Sequence, residues 1–167
     1  MPANAAAESL GSQGSLARIV IDVTVPCSPE RAFDYFVRDI ARWWPLSTHS
    51  IGRDHCTDVR LEPREHGRLI ETLGDGTEHV WGTVTRWDPG HHLAFTWHLD
   101  RDPATAQLVD VAFVASGAQT RVTLTHGGWE RREDGESARD SYVGGWKLVF
   151  GERYRGFCAG GANASSA

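Results

Sequence analysis

His126-Gly127-Gly128-Trp129, leading into Glu136-Ser-Ala-Arg-Asp-Ser-Tyr-Val-Gly-Gly-Trp146-Lys-Leu-Val-Phe150-Gly-Glu-Arg-Tyr-Arg-Gly-Phe157, is the stretch whose reading decides the fold. Within it Ala138, Tyr142, Trp146, Val149, Phe150 and Phe157 recur at steps of three, four or seven, which puts them on one face of a 3.6-residue helix. That face needs a large apolar partner. A long closing helix of about Glu136 to Phe157, held against a curved sheet, either packs solid or leaves a pocket. Gly144, Gly145 and Gly151 stand inside it, each costing about 1 kcal/mol relative to alanine. Close approach of the backbone to a strand or another helix is the first explanation, and a gap beside a ligand is the second.

Upstream, the chain supplies such a sheet. Arg18 to Val25 is β-branched and alternating, a first strand that Pro26 closes. Ser28-Pro29-Glu30 then starts a helix: Ser28 caps it, Pro29 takes the first position where its missing N–H is harmless, and Glu30 suits the positive end. Ala32, Phe33, Phe36, Val37 and Ile40 mark its apolar face, to about Arg38. In Trp43-Trp44-Pro45 two adjacent indoles precede a proline, and adjacent helical positions diverge by about 100°. Either both pack between the short helix and the sheet, or one enters the core while the other rims a mouth. Six strands are then expected, over Thr57 to Glu62, Arg68 to Leu73, Glu78 to Asp88, His92 to Leu99, Leu108 to Ala115 and Thr120 to His126. Glu65-His66-Gly67, Gly74-Asp75-Gly76, Asp88-Pro89-Gly90 and Ser116-Gly117-Ala118 supply the reversals between them. The result is an α+β fold, with about seven strands in a strongly bent antiparallel sheet around the closing helix and two short helices after the first strand.

A chain of 167 residues, 40 % hydrophobic and 23 % charged, is the size of one domain with its own core. The domain is expected over residues 16–158, between flexible tails at 1–15 and 159–167 that are too poor in apolar groups to offset ordering entropy. A net charge of -5 argues against a general electrostatic grip on nucleic acid or anionic membrane. With no long apolar run and no signal segment, a soluble cytoplasmic protein is the expectation. Cys27, Cys56 and Cys158 are odd in number and widely spaced, and read as reduced structural thiols.

Gly82-Thr-Val84, Trp87-Asp88-Pro89 and His92-Leu-Ala-Phe-Thr-Trp97 together resemble the central signature of the SRPBCC, or START-related, helix-grip superfamily. The resemblance is closest to the branch of the activator of heat shock protein 90 ATPase homologues. Ser28-Pro-Glu-Arg-Ala-Phe33, Trp43-Trp44-Pro45, Thr120 to His126, Gly128-Trp129 and Tyr142-Val-Gly-Gly-Trp146 are similar to that branch as well, so the likeness spans residues 18 to 158. It implies a cavity between the closing helix and the concave sheet that takes an apolar small molecule. It also raises the reading of a stress-linked chaperone-interaction module.

Eight histidines invite metal or acid–base chemistry, but no HxH, HExxH or CxxC spacing occurs, and no metal or cofactor is expected. His126 is in phase with the apolar Val122 and Leu124, and Glu71 with Leu69 and Leu73, so alternation turns both inward. A buried carboxylate needs a partner, for which Arg60 is a candidate. A buried imidazole is more often simply hydrogen-bonded than catalytic. With Trp43, Trp44, Trp81, Trp97, Trp129, Tyr142, Trp146 and Phe150, these two polar groups would form a mostly apolar pocket with a few orienting contacts. The leading functional expectation is binding of an apolar or aromatic small molecule there without turnover, by a monomer or homodimer. An enzyme of the cyclase or isomerase type, using Glu71 and His126 as an acid–base pair, is the alternative. A solid core without a cavity would leave any function to the surface.

Overall fold

The computed structural model describes residues 16–165, with side chains to residue 160. The expected N-terminal tail, 1–15, lies outside them. Strand β1 (Ile19–Val25) is followed by helices α1 (Pro29–Val37) and α2 (Ile40–Trp43). Six strands come next: β2 (Cys56–Leu61), β3 (Arg68–Leu73), β4 (Glu78–Asp88), β5 (His92–Trp97), β6 (Gln107–Ser116) and β7 (Gln119–Gly127). They form one antiparallel, curled sheet in the order β1-β7-β6-β5-β4-β3-β2, so α1 and α2 carry the chain from one edge to the other. Ser28 caps α1 through its hydroxyl, which accepts from the Arg31 N–H, and Pro29 opens the helix as its sequence requires.

Alternation accounts for most of the sheet, and two bulges in β4 account for its bend. Leu69 pairs with Gly82 but Ile70 with Val80, which leaves Trp81 as an extra residue. A second register shift falls between Val84 and Arg86 against β5. Glycine at 82 has a steric reason, because a Cβ there would collide with the Thr96 carbonyl. The Trp81 carbonyl, freed from the β3–β4 ladder, accepts the N–H groups of His98 and Leu99 at 2.9 and 3.2 Å and turns the end of β5.

The closing helix, α3, is α-helical over Gly135–Trp146 and Arg155–Ser165, with a π-helical segment, Lys147–Tyr154, between them. It therefore runs on past the expected end at Phe157, into the stretch read as a C-terminal tail. Trp146, Val149, Phe150, Tyr154 and Cys158 are buried along it. Val149 and Phe150, three and four residues after Trp146, share its buried side, and the wide turn carries that side on to Tyr154 and Cys158. Tyr154 donates its hydroxyl proton to the Ala32 carbonyl at 2.7 Å, tying α3 to α1, and stacks on Phe150. Phe33 and Phe36 of α1 meet Phe113 edge-on, closing the core on that side.

Candidate functional site

Between α3 and the sheet lies a pocket of about 460 Å³ with three walls. Ser141, Tyr142, Gly145, Trp146 and Val149 of α3 form the first, Trp97 and Leu99 at the end of β5 the second. The third is a strap after α2, made by Trp44, Thr48, His49, Ser50, Ile51 and Arg53. Tyr142, Gly145, Trp146 and Val149 stand at i, i+3, i+4 and i+7, the spacing of one helical face.

Trp44, Trp97, Tyr142 and Trp146 are the sequence-derived site residues that line this pocket. The adjacent indoles at 43 and 44 diverge as neighbouring positions must. Trp43 packs on Phe36 and Tyr154 and donates to the Tyr35 carbonyl at 2.9 Å, whereas Trp44 faces the pocket and donates to the His49 carbonyl at 2.7 Å. Trp81, Trp129 and Phe150 are fully buried behind the walls.

Glu71 and His126 also lie behind the walls, and each is committed to holding one. The Glu71 carboxylate accepts the backbone N–H groups of Ile51 and Gly52 at 2.8 and 2.6 Å and the Trp81 indole N–H at 2.8 Å. Three donors replace the counter-charge that Arg60 was expected to bring. Arg60 instead pairs with Glu78 at 2.9 Å on the exposed face. One carboxylate thus pins the strap to the sheet.

His126 fixes the other side. An indole N–H can only donate, so the 2.9 Å contact from Trp146 Nε1 makes His126 Nδ1 the unprotonated nitrogen. The proton sits on Nε2, facing Gln107 Oε1 at 3.4 Å, while the Gln107 amide donates to the Thr105 carbonyl at 2.6 Å. Trp129 stacks on the imidazole and its indole donates to the His126 carbonyl at 3.0 Å. Burial, with a smaller push from the Arg132 charge, lowers the imidazole pKa from 6.5 to about 3. The unfolded chain therefore binds the extra proton first. Stability held above pH 6.5 is expected to fall as pH drops toward about 3. Urea unfolding of the wild type between about pH 7 and pH 4 should show this slope, and His126→Gln, which cannot titrate, should flatten it. An equal slope in both proteins would remove His126 as its source.

The polar groups that do face the pocket were not legible as a motif. His49 approaches the Thr48 hydroxyl at 2.8 Å through Nδ1, and its pKa is lowered by burial and then by the charges of Arg53 and Arg153, which favours the neutral ring. The Tyr142 hydroxyl accepts from Trp97 Nε1 at 2.9 Å. Arg53 and Leu99, both wall residues, have left-handed backbones with φ of 52° and 54°. Such conformations cost a non-glycine residue roughly 1–2 kcal/mol and concentrate at binding sites. Gly145 also decides between the two readings of the helix glycines. A Cβ at 144, 145 or 151 would meet no atom within 4 Å, so close backbone approach is not their reason, and at 145 the open space is the pocket itself.

Among the described residues no three His, Cys, Asp or Glu side chains are grouped to hold a metal, and no helix is long and apolar enough to cross a membrane.

Residues 26–153 match the family model described as Activator of Hsp90 ATPase homolog 1-like protein. No curated protein matches the sequence significantly. Among solved structures, the chain is similar to the anthrahydroquino-gamma-pyrone synthase Txn09, complexed with SUM. The identity is 35 %, over 72 % of this chain and 82 % of that one, with a TM-score of 0.54. It shares its fold with Ms6760 from Mycobacterium smegmatis at 15 % identity, covering 90 % of this chain and 93 % of that one, with a TM-score of 0.63. It shares it also with DynU16, from the dynemicin biosynthetic locus, at 16 % identity, covering 84 % of this chain and 46 % of that one, with a TM-score of 0.62.

Proposed function

The chain belongs to the Activator of Hsp90 ATPase homolog 1-like family, and from that premise we propose that it binds a planar aromatic small molecule between α3 and the sheet. The pocket carries this reading. Its volume of about 460 Å³ falls in the range of small-molecule sites, and its walls combine three indoles with a few oriented polar groups. Indole faces and edges favour flat aromatic partners.

Native mass spectrometry of the purified protein, followed by solvent extraction, tests this directly. A stoichiometric aromatic adduct lost on denaturation is the expected result. Added anthraquinone should also quench tryptophan fluorescence saturably, since Trp44, Trp97 and Trp146 form the walls. An apo mass together with no saturable quenching would overturn the reading.

Ring closure is the second reading, and the 35 % identity to a gamma-pyrone synthase favours it. The pocket offers a neutral imidazole, His49, and a phenol, Tyr142, as base and hydrogen-bond donor. They take the roles that the sequence suggested for Glu71 and His126. In an ortho-hydroxyaryl β-diketone, His49 would accept the phenol proton as that oxygen adds to the far carbonyl. Tyr142 would steady the developing alkoxide, and loss of water would complete the gamma-pyrone. Acceleration of this cyclisation by the wild type and its loss in His49→Gln is the expected pattern. A rate equal to that of buffer would reject turnover and leave binding standing.

A further inference from the structure

The pocket's hydrogen bonds name a ligand feature beyond flatness. Each of its three indoles has spent its one N–H on the protein. Trp44 donates to the His49 carbonyl at 2.7 Å, Trp97 to the Tyr142 hydroxyl at 2.9 Å and Trp146 to His126 Nδ1 at 2.9 Å. The strap hydroxyls are similarly occupied, Ser50 with the Leu46 carbonyl and Thr48 with His49.

Tyr142 differs. Its oxygen is already an acceptor for Trp97 at 2.9 Å, while the Arg132 guanidinium is held by Asp134. Among the described residues no acceptor takes its proton. Edge contacts with Trp97 and His126, at centroid distances of 6.3 and 5.2 Å, fix the direction of the ring. A hydroxyl that accepts hydrogen bonds becomes a stronger donor, because a chain of such bonds polarises cooperatively. The phenol is half-buried and lines the pocket from α3 one turn before the bare backbone of Gly145.

Resting on the proposal that the pocket binds a flat aromatic molecule, we infer that this molecule presents a carbonyl oxygen to the Tyr142 hydroxyl. The ligand class is then the aromatic ketones and quinones, as distinct from aromatic hydrocarbons. Tyr142 is the residue that separates the two.

Anthraquinone and anthracene are probes of nearly the same shape that differ in this one feature. Their affinities are read by tryptophan quenching in the wild type, in Tyr142→Phe and in Trp97→Phe, with thermal melting to verify folding. Tyr142→Phe should weaken anthraquinone about five- to tenfold and leave anthracene within about twofold, the range of one neutral hydrogen bond. Trp97→Phe, which keeps the phenol but removes the N–H that polarises it and trims one indole wall, should weaken both probes, anthraquinone by about threefold more than anthracene. Equal losses for both probes in Tyr142→Phe would overturn the carbonyl contact while leaving the pocket as the binding site. Failure of the wild type to bind either probe would overturn the pocket reading, and the carbonyl contact with it.

Discussion

Glu71→Ala is expected to destabilise the protein by about 3–5 kcal/mol, because three buried donors share this one carboxylate. The side chain is fully buried, and its two oxygens satisfy three donors: the N–H groups of Ile51 and Gly52 and the Trp81 indole. Removing the carboxylate strands all three. Each orphaned donor costs about 1–3 kcal/mol, and relaxation of the strap toward water recovers part of the sum. For a domain of this size the loss corresponds to a drop in melting temperature of roughly 6–20 °C. Glu71→Gln should cost less, because the amide retains one oxygen, yet its NH₂ then faces an N–H. Urea unfolding gives the free energies, and hydrogen exchange at Ile51 and Gly52 reports the strap locally. A loss below about 1 kcal/mol would show that the strap holds without its clamp.

The same carboxylate illustrates what the sequence disclosed. Strand alternation turned Glu71 inward with Leu69 and His126 inward with Val122 and Leu124, and both are buried. Period-two reasoning reads facing well because a strand offers only two faces. It says nothing about partners across the sheet. Arg60, on the neighbouring strand, has the charge to match Glu71, but the backbone amides of Ile51 and Gly52 reach the carboxylate instead, and Arg60 pairs with Glu78. Inward-facing was also too coarse a guide to the pocket. Trp81 and Trp129 point inward and are spent on the core, whereas Leu99, expected to end a strand but placed in the turn after β5, and His49, from a segment without period, supply part of the walls. The bulge at Trp81 and the π-helical turn at Lys147–Tyr154 shift the faces of two elements in ways that a strict period does not encode.

Gly145→Leu is expected to abolish useful binding without destabilising the fold, which separates pocket from core in one substitution. Glycine costs the helix about 1 kcal/mol against alanine and slightly less against leucine, so the backbone gains from replacement. Nothing within 4 Å obstructs the new Cβ. From position 145 a leucine side chain leans back over the preceding turn, toward Ser141 and Tyr142, and so into the space between them and Trp97. A flat ligand would then have to give up that volume or force the walls apart, at a cost of about 2–3 kcal/mol, or roughly 30- to 150-fold in affinity. Gly144→Leu is the matched control. It makes the same helix-propensity change at an exposed neighbouring position outside the walls, and should bind anthraquinone as the wild type does. Wild-type affinity in Gly145→Leu would mean that the bound molecule lies elsewhere, whereas equal losses in both variants would trace to the helix. Loss at 145 alone, with the melting temperature held or raised, would show that the fold spends helix stability there to keep a binding volume open.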